Sequence, residues 1–162
     1  MKDIRSDLIF HPDFFEDSSN LFDFLSANTA WNESMRARKT AAFGQPNADS
    51  EQKEFYKPFY PIMHELSERL EPIIGFRPNN CFLNYYDNGS SKMGWHGDST
   101  HFLEEETGTA ILSVGDTRIF QIRRKDVPSE FYNYVLTPGS LIYMPLSIQE
   151  DWQHAIPKVV SD

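Results

Sequence analysis

Five histidines occur in 162 residues, and two of them stand where they could share a metal ion with a carboxylate. His96 and Asp98 fall in the run Met93-Gly94-Trp95-His96-Gly97-Asp98. In an extended chain residues i and i+2 point to one side, so imidazole and carboxylate converge. Gly97 between them has no side chain and lets backbone or substrate come close. His154 follows Asp151-Trp152-Gln153, 56 positions after Asp98. Two imidazoles and one carboxylate on one face of an octahedron leave three positions open for a chelating cosubstrate and O2. This is the ligand set of non-haem Fe(II) oxygenases. The same three ligands can also build a zinc site. His101 competes for a place in the set, but its three-residue offset from Asp98 suits strand geometry less well. His11, before a proline, and His64, inside a helical pattern, read as structural or surface residues.

A second group of residues carries polar chemistry. Phe82, Asn84 and Tyr86 alternate along one predicted strand and so share a face. An amide and a phenol on the inward face of a barrel need a polar partner, and the carboxylate of an organic acid would serve. The alternative is that Asn84 caps a turn and Tyr86 is core. Two basic clusters, Arg36-Arg38-Lys39 and Arg123-Arg124-Lys125, are either phosphate contacts or solvated faces. The formal net charge of −9 argues against a wide grip on duplex nucleic acid, since phosphate neutralisation needs Lys and Arg. It leaves room for a local basic groove.

The elements that must position these groups change character along the chain. Asp7 to Phe10 reads as a short strand, and Asp17, Ser18 and Ser19 cap a helix that ends near Asn28. Residues 35–43 read as extended and 44–53 as a polar loop. Pro58 stands near the start of a second helix, with Ile62, Leu66, Leu70 and Ile73 at helical spacing and Gly75 closing it. From Asn80 onward short β-rich runs alternate with turn signals, giving strands near 81–86, 92–96, 109–114, 117–123, 131–136, 140–144 and 151–156. The expected class is mixed α+β, mainly β: a double-sheet jelly roll buttressed by N-terminal helices, in one domain without a linker. No apolar run is long enough to cross a bilayer, and the first residues lack the layout of a secretion signal. The lone Cys81 excludes an internal disulfide framework, fits a small core residue, and points to a reducing, cytoplasmic setting.

The segments Leu83-Asn84-Tyr85-Tyr86-Asp87-Asn88-Gly89 and Met93-Gly94-Trp95-His96-Gly97-Asp98 resemble the core of the AlkB-type Fe(II)/2-oxoglutarate dioxygenases. The resemblance continues through Ala110–Asp116, Arg118-Ile119-Phe120, Pro138–Met144 and Trp152–Pro157. Upstream, Arg38–Gly44 is similar to the segment that leads into the family's nucleotide-recognition lid. It covers roughly residues 35–157, and order and spacing agree throughout. The resemblance implies a double-stranded β-helix spanning 80–157, with a lid region and helix over 35–79, all within one AlkB-like domain, 1–162. It implies Fe(II) at His96, Asp98 and His154, with Asn84 and Tyr86 touching 2-oxoglutarate. The implied reaction consumes O2, decarboxylates 2-oxoglutarate to succinate, hydroxylates an N-methyl group and releases formaldehyde.

Two features depart from the family. Its members carry an Arg-x-Asn-x-Ser/Thr-x-x-Arg strand after the distal histidine, and its arginines pair with 2-oxoglutarate. Here the sequence stops at Lys158-Val159-Val160-Ser161-Asp162, so either that strand lies beyond it or another cation takes the role, with Arg118 ranked ahead of Arg123 and Arg124. Base-repairing members often carry acidic residues directly after the iron-binding aspartate. This chain has Ser99, Thr100 and His101, with Glu104, Glu105 and Glu106 later, a run that also reads as a solvated loop.

The resulting expectation is an oxidative demethylase of N-alkylated bases in single-stranded DNA or RNA, with no membrane and no obligate protein partner. A single strand is easier to act on because no base must leave a stack. Phe43 and Trp95 are candidates to stack on the base, and Arg36, Arg38 and Lys39 to hold phosphates. Trp31, Tyr56 and Phe59 stand as entry-lining or core aromatics. The alternatives are the same chemistry on a protein or small molecule, and a catalytically silent binding module.

Overall fold

The computed structural model describes residues 7–46, 53–100 and 103–159. His101 lies outside the described residues, as does most of the polar loop. The chain forms two compact units, Met1–Asn28 with Lys92–Asp162, and Thr29–Ser91.

The first unit contains β1 (Ile9–His11), α1 (Ser18–Asn28), β5 (Met93–His96), β6 (Gly108–Leu112), β7 (Arg118–Arg124), β8 (Phe131–Leu136), β9 (Leu141–Pro145), α3 (Leu146–Gln149) and β10 (Trp152–Ile156). Among the described residues seven strands make two antiparallel sheets, ordered β1-β9-β6 and β5-β10-β7-β8. One core joins them: Ile142 and Met144 from β9 pack with Phe120 and Ile122 of β7, Leu136 of β8, Leu8 and Ile148. Alternation along β7 turns Phe120 and Ile122 to the opposing sheet, whereas β9, flanked on both sides, is buried throughout Leu141–Met144. This is the double-sheet jelly roll expected from the strand spacing. α1 seats Phe22 beneath Gly115, and the Gly139 carbonyl accepts a hydrogen bond from Phe15 N–H at 3.0 Å. Gly139 has φ 86°, and a Cβ there would lie 2.1 Å from the Phe15 carbonyl oxygen, so only glycine fits that turn.

The second unit contains β2 (Lys39–Gly44), β3 (Tyr56–Lys57), α2 (Pro61–Ile74) and β4 (Asn80–Tyr85). Its sheet runs β3-β2-β4, with β2 antiparallel to β4 and parallel to β3. The helix begins at Pro61 rather than near Pro58. Tyr60 is extended at φ −66°, ψ 154°, the conformation forced on a residue before proline, and Pro61 occupies the first helical turn where no N–H is needed. Gly75 closes it in the left-handed region at φ 86°, and its N–H donates to the Glu71 carbonyl. The structure also moves β4 relative to the expectation. β4 does not join the jelly-roll sheets but pairs with β2 through six residue pairs, Lys39↔Tyr85 to Gly44↔Asn80. The longest helix among the described residues has 14 residues, and none is long and apolar enough to cross a membrane.

Candidate metal centre

Strand pairing brings the two histidines together. β5 and β10 are antiparallel neighbours, and His154 stands directly opposite His96. Their rings lie 4.2 Å apart. The ladder is irregular between His154 and Ile156, as a bulge beside a site often is. His154 is 4 % exposed and stacks at 5.3 Å on Phe120, a ring of the core. The core therefore fixes one imidazole plane. His96 is fixed differently: its Nδ1–H donates to the Gly94 carbonyl at 2.8 Å, which leaves the Nε2 lone pair for a ligand.

Asp98 lies beyond the last residue of β5, so the pleat alone does not aim it. Its Oδ1 stands 3.4 Å from His154 Nε2 and 3.8 Å from His96 Nε2. Ligand atoms of the three side chains all lie within 4.8 Å of one another. Burial pushes the Asp98 carboxyl up, but His154, Thr109 and His96 together outweigh this and hold it below the ordinary carboxylate range. Two imidazoles and a carboxylate that converge in this way are a donor set a divalent ion takes.

Two residues around Asp98 escaped the sequence reading. The Thr109 hydroxyl, on β6, donates to the carboxylate. Gln149, the last residue of α3, accepts from Asp98 N–H at 2.9 Å and donates to Asp98 Oδ2 at 3.2 Å. No local pattern marks either one: α3 is four residues long, and Gln149 precedes Asp98's partner strand rather than Asp98 itself. Gly97 allows this approach, because a Cβ there would meet the Gln149 carbonyl oxygen at 3.3 Å. An open cavity of about 910 Å³ adjoins Asp98, with Ser99, Thr100, Glu105, Glu106 and Gln149 among its walls.

The other candidates divide. Asn84 is exposed on β4, and its Oδ1 accepts from Arg38 Nε at 2.7 Å. Phe82, on the same row, is 57 % exposed, so this row is the outward one and Cys81, Leu83 and Tyr85 form the more buried row. Tyr86 follows the strand and is half-buried. Phe43 is not available for stacking on a ligand: it is 3 % exposed and packs at 4.9 Å on Tyr60 inside the second unit. Trp95 points to the sheet face opposite His96, where the Arg123 guanidinium lies 4.1 Å over its ring. Lys39 is held by Glu33 at 3.0 Å and Asp87 at 3.2 Å, so its charge is spent within the protein. Arg36 is exposed. Arg118 lies on the row of β7 that carries Phe120 and Ile122, and donates to the Pro157 carbonyl at 2.8 Å. Trp31 packs on Tyr85 with the rings tilted by 51° at 5.1 Å, and Phe59 meets His64 edge-on at 5.2 Å.

A jelly roll holding two histidines and an aspartate at the edge of its four-stranded sheet is the arrangement of a non-haem iron oxygenase, and the chain belongs to the 2OG-Fe(II) oxygenase superfamily, whose family model matches residues 16–162. The superfamily's name carries iron and 2-oxoglutarate as its cofactors, and within it the chain is similar to AlkB-type members. Human alpha-ketoglutarate-dependent dioxygenase alkB homolog 3 is 35% identical over 108 residues, covering 62% of this chain and 38% of that protein. The Bos taurus protein of the same name is 26% identical over 162 residues, covering 88% of this chain and 57% of that protein. The Bos taurus DNA oxidative demethylase ALKBH2 is 30% identical over 108 residues, covering 62% of this chain and 39% of that protein. The chain thus spans between 38% and 57% of the length of these relatives. The solved structure of OsALKBH1 shares the fold at a TM-score of 0.74 and 13% identity, covering 95% of this chain and 86% of that chain.

Proposed function

We propose that this chain is an oxidative demethylase of N-alkylated bases in DNA or RNA. The observation that carries the reading is the convergence of His96, Asp98 and His154 beside an open cavity whose wall includes Glu105 and Glu106. A base methylated at a ring nitrogen is cationic, and carboxylates near the mouth favour its entry. The alkB homolog 3 and DNA oxidative demethylase relatives support the substrate class. Single strands are the favoured form, because an unpaired base reaches the cavity without an unstacking cost.

His96, Asp98 and His154 would hold the iron. When bound, it supplies activation of O2 at the expense of 2-oxoglutarate, which leaves as succinate and CO2. In that chemistry one oxygen atom would enter succinate and the other the N-methyl group. The hydroxymethyl amine then breaks its C–N bond, giving formaldehyde and the repaired N–H. The residues of the chain orient and exclude: Phe120 fixes the His154 ring, Gly94 fixes the His96 tautomer, and Gln149 and Thr109 hold the carboxylate. Asn84 and Tyr86 are assigned to 2-oxoglutarate on the family resemblance of their segment. Arg118 is assigned as a cation for its carboxylate, and Arg36 and Arg38 as phosphate contacts. The lone cysteine fits work in a reducing compartment, the cytoplasm in the first instance.

The test is formaldehyde release from a panel of methylated oligonucleotides with Fe(II) and 2-oxoglutarate. Release from 1-methyladenine or 3-methylcytosine in single strands is expected, and its loss in His96→Ala and Asp98→Ala. Succinate formed without any formaldehyde from the panel would overturn the substrate, and turnover surviving either substitution would overturn the metal assignment. A second reading, the same chemistry on a protein or small molecule, is favoured by the net charge of −9 and by the neutralised Lys39. It predicts succinate formation that no oligonucleotide stimulates.

A further inference from the structure

We propose that Gln149 is the positioning residue that makes Asp98 a one-oxygen metal ligand. This rests on the assignment of His96, Asp98 and His154 as the metal set, and goes beyond it. The two carboxylate oxygens of Asp98 have different surroundings. Oδ1 faces both imidazoles, at 3.4 and 3.8 Å. Oδ2 is taken by the Gln149 amide, whose Nε2 donates to it at 3.2 Å. The other end of the same amide accepts from Asp98 N–H at 2.9 Å. One planar group therefore grips the ligand at main chain and side chain together, and both torsions that aim the carboxylate are restrained.

The chemistry selects an amide. A carboxylate would offer no donor to Oδ2, and an apolar side chain would offer neither donor nor acceptor. Either loss would leave a polar group of Asp98 short of its partner. Gln149 is itself held: it is 4 % exposed, and Lys125 Nζ donates to its carbonyl oxygen at 3.1 Å and to that of Glu150. A glutamine so buried, with its amide committed to a candidate ligand and its backbone tied down, is built to hold that ligand. Partners of metal ligands that act in this way change metal affinity by about 10–100-fold when removed.

The experiment is titration of the metal-free protein with Co(II) alone, followed by ligand-field absorption, with no cosubstrate or nucleic acid present. Gln149→Leu is compared with the parent, and Gln149→Met serves as a second variant of matched length if the first fails to fold. The expected result is Co(II) binding weakened by about 10–100-fold, together with a changed band shape at saturation as the carboxylate is released from its one-oxygen orientation. Affinity within about twofold of the parent overturns the proposal, and so does weaker binding with an unchanged spectrum, which a merely structural role would give. Asp98→Ala reports separately on the metal set: Co(II) binding that survives it removes the set and the proposal together, whereas loss in Asp98→Ala with no change in Gln149→Leu removes the proposal alone.

Discussion

Each candidate ligand is aimed by a different kind of neighbour. His154 is aimed by packing on Phe120, His96 by a backbone carbonyl, and Asp98 by an amide and a hydroxyl. The aromatic and basic candidates are sorted by burial and pairing in the same way. Phe43 spends its ring on the core of the second unit, and Lys39 spends its charge on two carboxylates. Cys81 is half-buried on β4 rather than a core residue, and desolvation pushes its thiol from an ordinary 9.0 up to about 11. A thiol raised by two units holds about a hundredfold less thiolate at pH 8, and thiolate is the reactive form. Alkylation by iodoacetamide should therefore run at least about a hundredfold slower in the folded protein than in urea, and a comparable rate in both would contradict the burial. The linkage has a definite sign. Below pH 9 the thiol is neutral in both states, and between 9.0 and about 11 only the unfolded chain gives up the proton. Stability is thus lost as pH rises through that window.

At the scale of elements, strand spans were legible because alternation and turn residues are local. The strands expected near 92–96, 117–123, 131–136 and 151–156 fall at Met93–His96, Arg118–Arg124, Phe131–Leu136 and Trp152–Ile156. Short elements were not legible: β3 and α3 span two and four residues, below any period a sequence can display. Two glycines test how the elements are joined. Gly75 and Gly139 both sit at φ 86°, but a Cβ at Gly75 meets nothing within 4 Å, while one at Gly139 meets backbone at 2.1 Å. Gly75→Ala should cost only the left-handed conformation, about 1–2 kcal/mol. Gly139→Ala adds a clash with backbone that cannot turn aside, and should cost clearly more. Urea unfolding of both variants checks the order, and an equal loss would mean the turn at Gly139 can shift.

At the scale of the whole molecule, charge decides how nucleic acid could be held. The chain carries 24 acidic against 15 basic residues. Of the first basic cluster, Lys39 is paired, and Arg36 and Arg38 have no carboxylate partner among the described residues. Two phosphate contacts on a single strand give a slope of log affinity against log salt of about −1.4. A salt titration of binding to a methylated single strand should return a shallow slope of that order. A slope steeper than about −4 would require a wide basic surface, which this composition does not provide.

The types and order of the candidate ligands were readable in the sequence, because His-x-Asp on a strand end and a distant histidine in a β-rich half are properties of spacing. So were the jelly-roll class and the helix over the sixties, which rest on periodicity within a dozen residues. Pairing was not readable. That His154 faces His96, that β4 joins β2, that Phe43 is inside and Trp95 outside, all depend on which distant segments meet. Gln149 shows this most sharply: it lies 51 positions from the aspartate it grips. Local physics chooses strand or turn residue by residue, but a hydrogen bond across that distance exists only once two sheets have closed around one core.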